Sequence, residues 1–153
     1  MWRRIPVPGF CERMIGFSVP KHDAVLVLSY EGMHLLRLGP PVTVSQVADP
    51  EYDPDHAHVG LGRYCGEDWE IIGLHGGEPL LASPQGEWLE LDDQANTVSV
   101  LAGGTEVWAS PFENFSGDWA AATFSPDGLF IVLGCPYDFD FRVWQRGGGA
   151  AGE

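Results

Sequence analysis

Leu26-Val27-Leu28-Ser29-Tyr30-Glu31-Gly32-Met33-His34-Leu35, running on through Leu36 to Asp49, decides how this chain is built. Shifted by 54 positions without a gap, residues 26–49 fall on residues 80–103. Eight of the 24 aligned pairs are identical: Leu26/Leu80, Ser29/Ser83, Gly32/Gly86, Leu35/Leu89, Thr43/Thr97, Val44/Val98, Ser45/Ser99 and Ala48/Ala102. The same shift places Phe10 on Tyr64 and Cys11 on Cys65. A fixed period of about 50 residues marks a repeat architecture, in which each unit buries its apolar face against its neighbour.

Each copy reads as a series of strands. Ala24 to Leu28 is a continuous apolar run, the pattern of a strand buried on both faces. Tyr30-Glu31-Gly32 turns the chain, and Met33 to Leu38 returns as the partner strand. Pro40-Pro41 breaks the run, and Val42 to Val47 alternates like a half-exposed strand. The second copy keeps this order in Pro79 to Ala82, the turn Ser83-Pro84-Gln85-Gly86, Trp88 to Leu91, and Thr97 to Leu101.

A third unit opens at Phe115-Ser116-Gly117, 51 positions after Tyr64-Cys65-Gly66. Its apolar run is Leu129 to Leu133, and its next strand is Phe139 to Trp144. Residues 147–153, Gly-rich, follow as a flexible tail, so this unit lacks an alternating outer strand. Trp2 to Val7 is the candidate to supply it. No segment sustains a 3.6-residue apolar period with caps, so no long helix is expected. The chain is therefore read as all-β, one domain over residues 1–146, with repeats at 10–63, 64–114 and 115–146.

Composition supports a single packed domain. The 153 residues suffice for a sizeable core. Twenty Gly and 12 Pro suit short strands joined by turns. The net charge of −14, with eight Lys and Arg, opposes phosphate backbones and anionic lipid surfaces. Neither nucleic acid nor a membrane is an expected partner. The acidic balance serves solubility or a basic partner. Three cysteines (Cys11, Cys65 and Cys135) cannot all pair within one chain. They read as small core thiols of a cytoplasmic protein. Met1 to Pro6 carries basic residues without a following apolar stretch, unlike a secretory signal. No apolar run approaches the ~18 residues that span a bilayer.

Trp119-Ala120-Ala121-Ala122-Thr123-Phe124-Ser125-Pro126-Asp127-Gly128, followed by Asp138, Arg142 and Trp144, resembles a WD40-type β-propeller repeat. Pro126-Asp127-Gly128 also suits a tight turn between strands. The resemblance covers residues 119–146, and Phe17-Ser18-Val19-Pro20 keeps part of the phrase. It implies four antiparallel strands per blade and a role in protein binding. It also makes Phe124, Asp127, Gly128, Asp138 and Trp144 structural residues of the repeat. Two features depart from the family: periods of 54 and 51 exceed the usual ~40–45, and its Gly-His pair is missing.

Propellers close with about 4–8 blades, whereas this chain holds about three propeller-like units. A partial propeller is one outcome, as an open arc or a sandwich-like domain. The other is a two-chain six-bladed ring with twofold symmetry. An arc leaves sheet faces uncovered, so a homo-oligomer, a dimer first, is the favoured expectation.

Residues 49–58 concentrate possible metal ligands. Asp49, Glu51, Asp53 and Asp55 alternate, but Pro54 and Gly60 stand where a calcium-binding EF-hand needs Gly and Glu. His56 and His58 would share a strand face without a clear third ligand. Asp53, Asp55, His56 and His58 are the candidate metal ligands, against a solvated acidic loop as the alternative. His75 reads as a turn residue, and His22 and His34 as surface or turn residues. Trp69, Trp88, Trp108, Trp119 and Trp144 read as packing. No nucleophile elbow, phosphate loop or zinc-protease motif is present. No catalytic residue and no cofactor is expected. The leading expectation is a non-enzymatic protein-interaction or scaffold module. The alternative is a metal- or small-molecule-binding enzyme with its site near residues 49–63.

Overall fold

The computed structural model describes residues 2–9, 14–29, 32–39, 41–47, 61–64, 66–73, 77–92, 94–112, 120–135 and 140–147. Their strands form three antiparallel sheets, and no helix occurs among the described residues. The first sheet has six strands, ordered β5 (Thr43–Gln46), β4 (Gly32–Arg37), β3 (Ala24–Ser29), β2 (Met14–Ser18), β7 (Glu67–Gly73) and β6 (Leu61–Tyr64). The second has three, ordered β10 (Thr105–Pro111), β9 (Thr97–Ala102) and β8 (Glu87–Asp92). The third has four, ordered β1 (Trp2–Ile5), β13 (Asp140–Arg146), β12 (Phe130–Cys135) and β11 (Ala121–Phe124). None of the three closes on itself.

Two continuous apolar strands explain the layering. β3 and β12 are buried at every position, and successive side chains of a strand point to opposite faces. Phe130 and Val132 of β12 enter one core cluster, while Ile131, Leu133 and Cys135 enter another. The first cluster joins the four-stranded sheet to Phe17, Val25, Val27 and Leu36 of the six-stranded sheet. The second joins it to Leu89, Val98 and Val100 of the three-stranded sheet. The four-stranded sheet is thus a middle layer. Fully burying one such side chain contributes about 1.5–3 kcal/mol. Ala24, Leu26 and Leu28 point the other way, into a third cluster with Trp69 and Ile71 of β7.

The N-terminal strand is part of this core. β1 lies antiparallel on β13, with Trp2 opposite Arg146 and Ile5 opposite Val143. Trp2 packs into the second cluster and Ile5 into the first. Gly32 and Gly86, aligned by the 54-residue shift, both take positive φ, 127° and 84°. Glycine tolerates that conformation without strain.

Three like units of four strands were expected, and the sheets instead hold six, three and four. β7 leaves its own repeat and pairs with β2, Phe17 opposite Ile72. Gly16 permits the approach: a Cβ there would lie 2.6 Å from the Ile72 carbonyl oxygen. In the second unit, Leu80 to Ala82 forms only one isolated bridge, Ala82 opposite Trp88. Gly103 and Gly104, at φ 59° and 80°, then turn the chain back as β10 against β9. Two central residues with positive φ make the hairpin turn that matches strand twist.

Candidate interaction surface

The proposed metal ligands Asp53, Asp55, His56 and His58 lie outside the described residues, as do Cys11, Cys65, His75 and Asp138. No cluster of three or more His, Cys, Asp or Glu able to hold a metal occurs among the described residues. No helix among them is long and apolar enough to cross a membrane.

The described repeat residues sit where two turns meet. Phe124 and Trp144 are buried, and Trp144 meets Trp108 edge-on with ring centroids 5.3 Å apart. Asp127 Oδ1 accepts from the Ser125 hydroxyl at 2.6 Å and the Leu129 amide at 3.0 Å. Those bonds shape the turn that Gly128 completes at φ 75°. Gln85 of the neighbouring turn packs against Gly128. Its Nε2 donates to the Asp127 carbonyl at 2.9 Å.

One ion pair locks these sheets together. Arg146 Nη1 donates to Glu87 Oε2 at 3.1 Å, and Nη2 bonds to Oε1. Arg146 Nε donates to the Gly128 carbonyl at 3.1 Å, and the guanidinium stacks 4.5 Å from the Trp2 ring centroid. The Glu87 and Arg146 side chains are 11% and 23% exposed, so water screens the pair weakly. Hydrogen bonding from Arg146 holds the Glu87 carboxyl below the usual carboxylate range. Burial opposes this, while the charge of Arg146 and the Ser83 hydroxyl reinforce it.

Beside this lock the stack opens. Ser83 N–H donates to the Glu87 carbonyl at 3.0 Å, and Leu89 N–H to the Leu81 carbonyl at 2.7 Å. The pairing segment then leaves β8 at Pro79. On its other side Leu80 touches β11: Phe124 N–H donates to its carbonyl, and its N–H donates to Thr123 Oγ1, both at 2.9 Å. Beyond Leu80 nothing joins β8 to β11 through backbone hydrogen bonds among the described residues. Between them opens a slot of about 830 Å³, which also spreads over the three-stranded sheet to Thr97 and Ser99 of β9 and Glu106 of β10. Leu81, Leu91 and Ala122 line its apolar side, and Glu90, Asp92 and Glu106 its acidic side. No Lys or Arg lines it among the described residues.

Large apolar side chains are exposed on and beside the three-stranded sheet, and Leu129 is exposed in the turn between β11 and β12. Trp88 is 50% exposed, and Leu80 and Val107 are each 37% exposed. Packing was expected of Trp88, but it shares an outer face with Leu101, its partner across β9. His34 shows the opposite departure: it was read as a surface or turn residue, yet it is buried in β4. The sequence gives no signal for Glu90 and Glu106, Asp92 reads there as a turn residue, and Ala120 to Ala122 read as part of the repeat phrase. Their convergence depends on where the chain leaves β8.

Compared with family models, curated proteins and solved structures, the chain matches none.

Proposed function

We propose that the chain is a non-enzymatic protein-interaction module. Its sheets act as propeller-like blades of WD40 kind, and its contact surface is the outer face of the three-stranded sheet, where Trp88 lies beside Leu101. The observation that carries this reading is the exposure of Trp88, Leu80 and Val107 around that sheet. Contiguous exposed apolar surface marks interaction sites in folded proteins. Aromatic residues are enriched in such contacts because they bury large areas. Two copies associating through this face would cover it with self-complementary surface.

Light scattering across a wide concentration range tests the reading. The expected mass rises with concentration from that of the 16.7 kDa chain toward twice that value. Trp88→Lys is expected to keep the chain monomeric while changing stability by no more than about 0.5 kcal/mol, as for exposed positions generally. A wild-type chain that stays monomeric throughout, and behaves as the Trp88→Lys variant does, would count against self-association.

A further inference from the structure

We propose that the slot between β8 and β11 receives an extended basic peptide segment as an added strand. The proposal rests on the interaction reading above and names a partner chemistry for the same side of the protein.

Backbone direction is the first support. Leu89 N–H points toward the segment at Leu81. Strand groups alternate with period two, so the N–H and carbonyl of Leu91 point the same way, into the slot. Phe124 N–H points toward Leu80, so the N–H and carbonyl of Ala122 point into the slot from the other wall. Each wall therefore offers one outward-facing backbone position, Leu91 on β8 and Ala122 on β11. The internal partner is missing because the chain departs at Pro79, which has no N–H to continue a ladder. An unpaired edge is a template for an added strand, whose main-chain bonds give affinity.

Chemistry of the walls sets the sequence of the guest. An added strand presents alternate side chains to opposite faces. One set would meet Leu81, Leu91 and Ala122, and the other would meet Glu90 and Asp92 with Glu106 beyond. Among the described residues Glu90 and Glu106 have no ion-pair partner. The matching segment alternates basic and β-branched apolar residues. A guanidinium there also comes within reach of the exposed Trp88 ring, an arrangement that favours cations over aromatic faces. A second copy fits the slot poorly, since its β8 edge would set Glu90 and Asp92 against the same acids.

The test uses the full chain and the labelled peptide acetyl-Arg-Val-Arg-Val-Arg-Val-amide, with Glu replacing Arg in a control. Saturable binding is expected, with slower amide exchange at Leu91 and Ala122 in the complex. The Glu90→Arg, Glu106→Arg double variant is expected to bind about tenfold or more weakly, since both charges would repel the guest. Both positions are exposed, so the variant keeps its fold, which its melting curve checks. Binding without protection at Leu91 and Ala122 overturns strand addition. So does equal binding of the Glu control. If the peptide does not bind while the chain still self-associates through Trp88, the slot proposal fails and the interaction reading stands. If neither occurs, both fall.

Discussion

Phe17→Ala is expected to lower the unfolding free energy by about 3–5 kcal/mol, the range for removing a buried aromatic side chain. Phe17 is completely buried between the six-stranded and four-stranded sheets. Its ring meets Phe141 edge-on, with centroids 5.6 Å apart. It also rests on the bare backbone of β12: a Cβ on Gly134 would lie 2.7 Å from a Phe17 ring carbon. That fit leaves little room for the neighbours to relax into the space vacated by the ring. The cost of the cavity therefore adds to the lost transfer energy. Urea unfolding should show a lower midpoint with the slope retained, which marks a change of stability rather than of mechanism. A loss below about 1 kcal/mol would mean that Phe17 does not sit at a packed junction.

Arg146→Ala is expected to cost about 2 kcal/mol, between the values for exposed and buried pairs, because breaking a part-buried pair leaves its partner charge uncompensated. Arg146 joins Glu87 on β8, the Gly128 carbonyl at the turn and the Trp2 ring on β1. Its removal strips all three contacts at once. Combining it with Glu87→Gln should cost less than the two single losses added, since both act on one interaction. The dependence on pH follows from the lowered Glu87 pKa. A carboxyl whose folded pKa is depressed stabilises the fold above its unfolded value, near 4.5, and the contribution fades as pH falls through the folded value. The wild-type chain should therefore lose this increment in acid. The Arg146→Ala variant should show a shallower acid slope in the same unfolding series. Equal slopes would show that the pair carries no linked stability.

Much of the strand content was legible because the apolar pattern is local. The continuous runs at β3 and β12 and the alternation at β5 and β9 reflect faces that each strand meets itself. β10 has a weak sequence signal although Gly103-Gly104 offers a hairpin turn, because Thr105 to Pro111 is a mostly exposed strand with weak apolar alternation. The pairing of β7 with β2 depends on close backbone approach at Gly16, between residues far apart in sequence. Periodicity carries no such information. Trp88 departs from the expected packing for a related reason. Alternation says that Trp88 and Leu89 face opposite ways, but not which face meets the next sheet. The slot was illegible for the same cause: it exists because the pairing segment leaves β8 at Pro79 while β8 continues to Asp92.

Hydrogen exchange of the isolated chain, read amide by amide, tests most directly whether one side of the stack is an open strand edge. Amides of β12 and its partners in β13, held in the middle layer, should exchange slowest. Leu91 and Ala122 should exchange much faster than Val98 and Val132, although all four lie in strands. Leu91 and Ala122 exchanging as slowly as Val98 and Val132 in the dilute chain would mean that the edges are already paired, and would contradict an open binding edge.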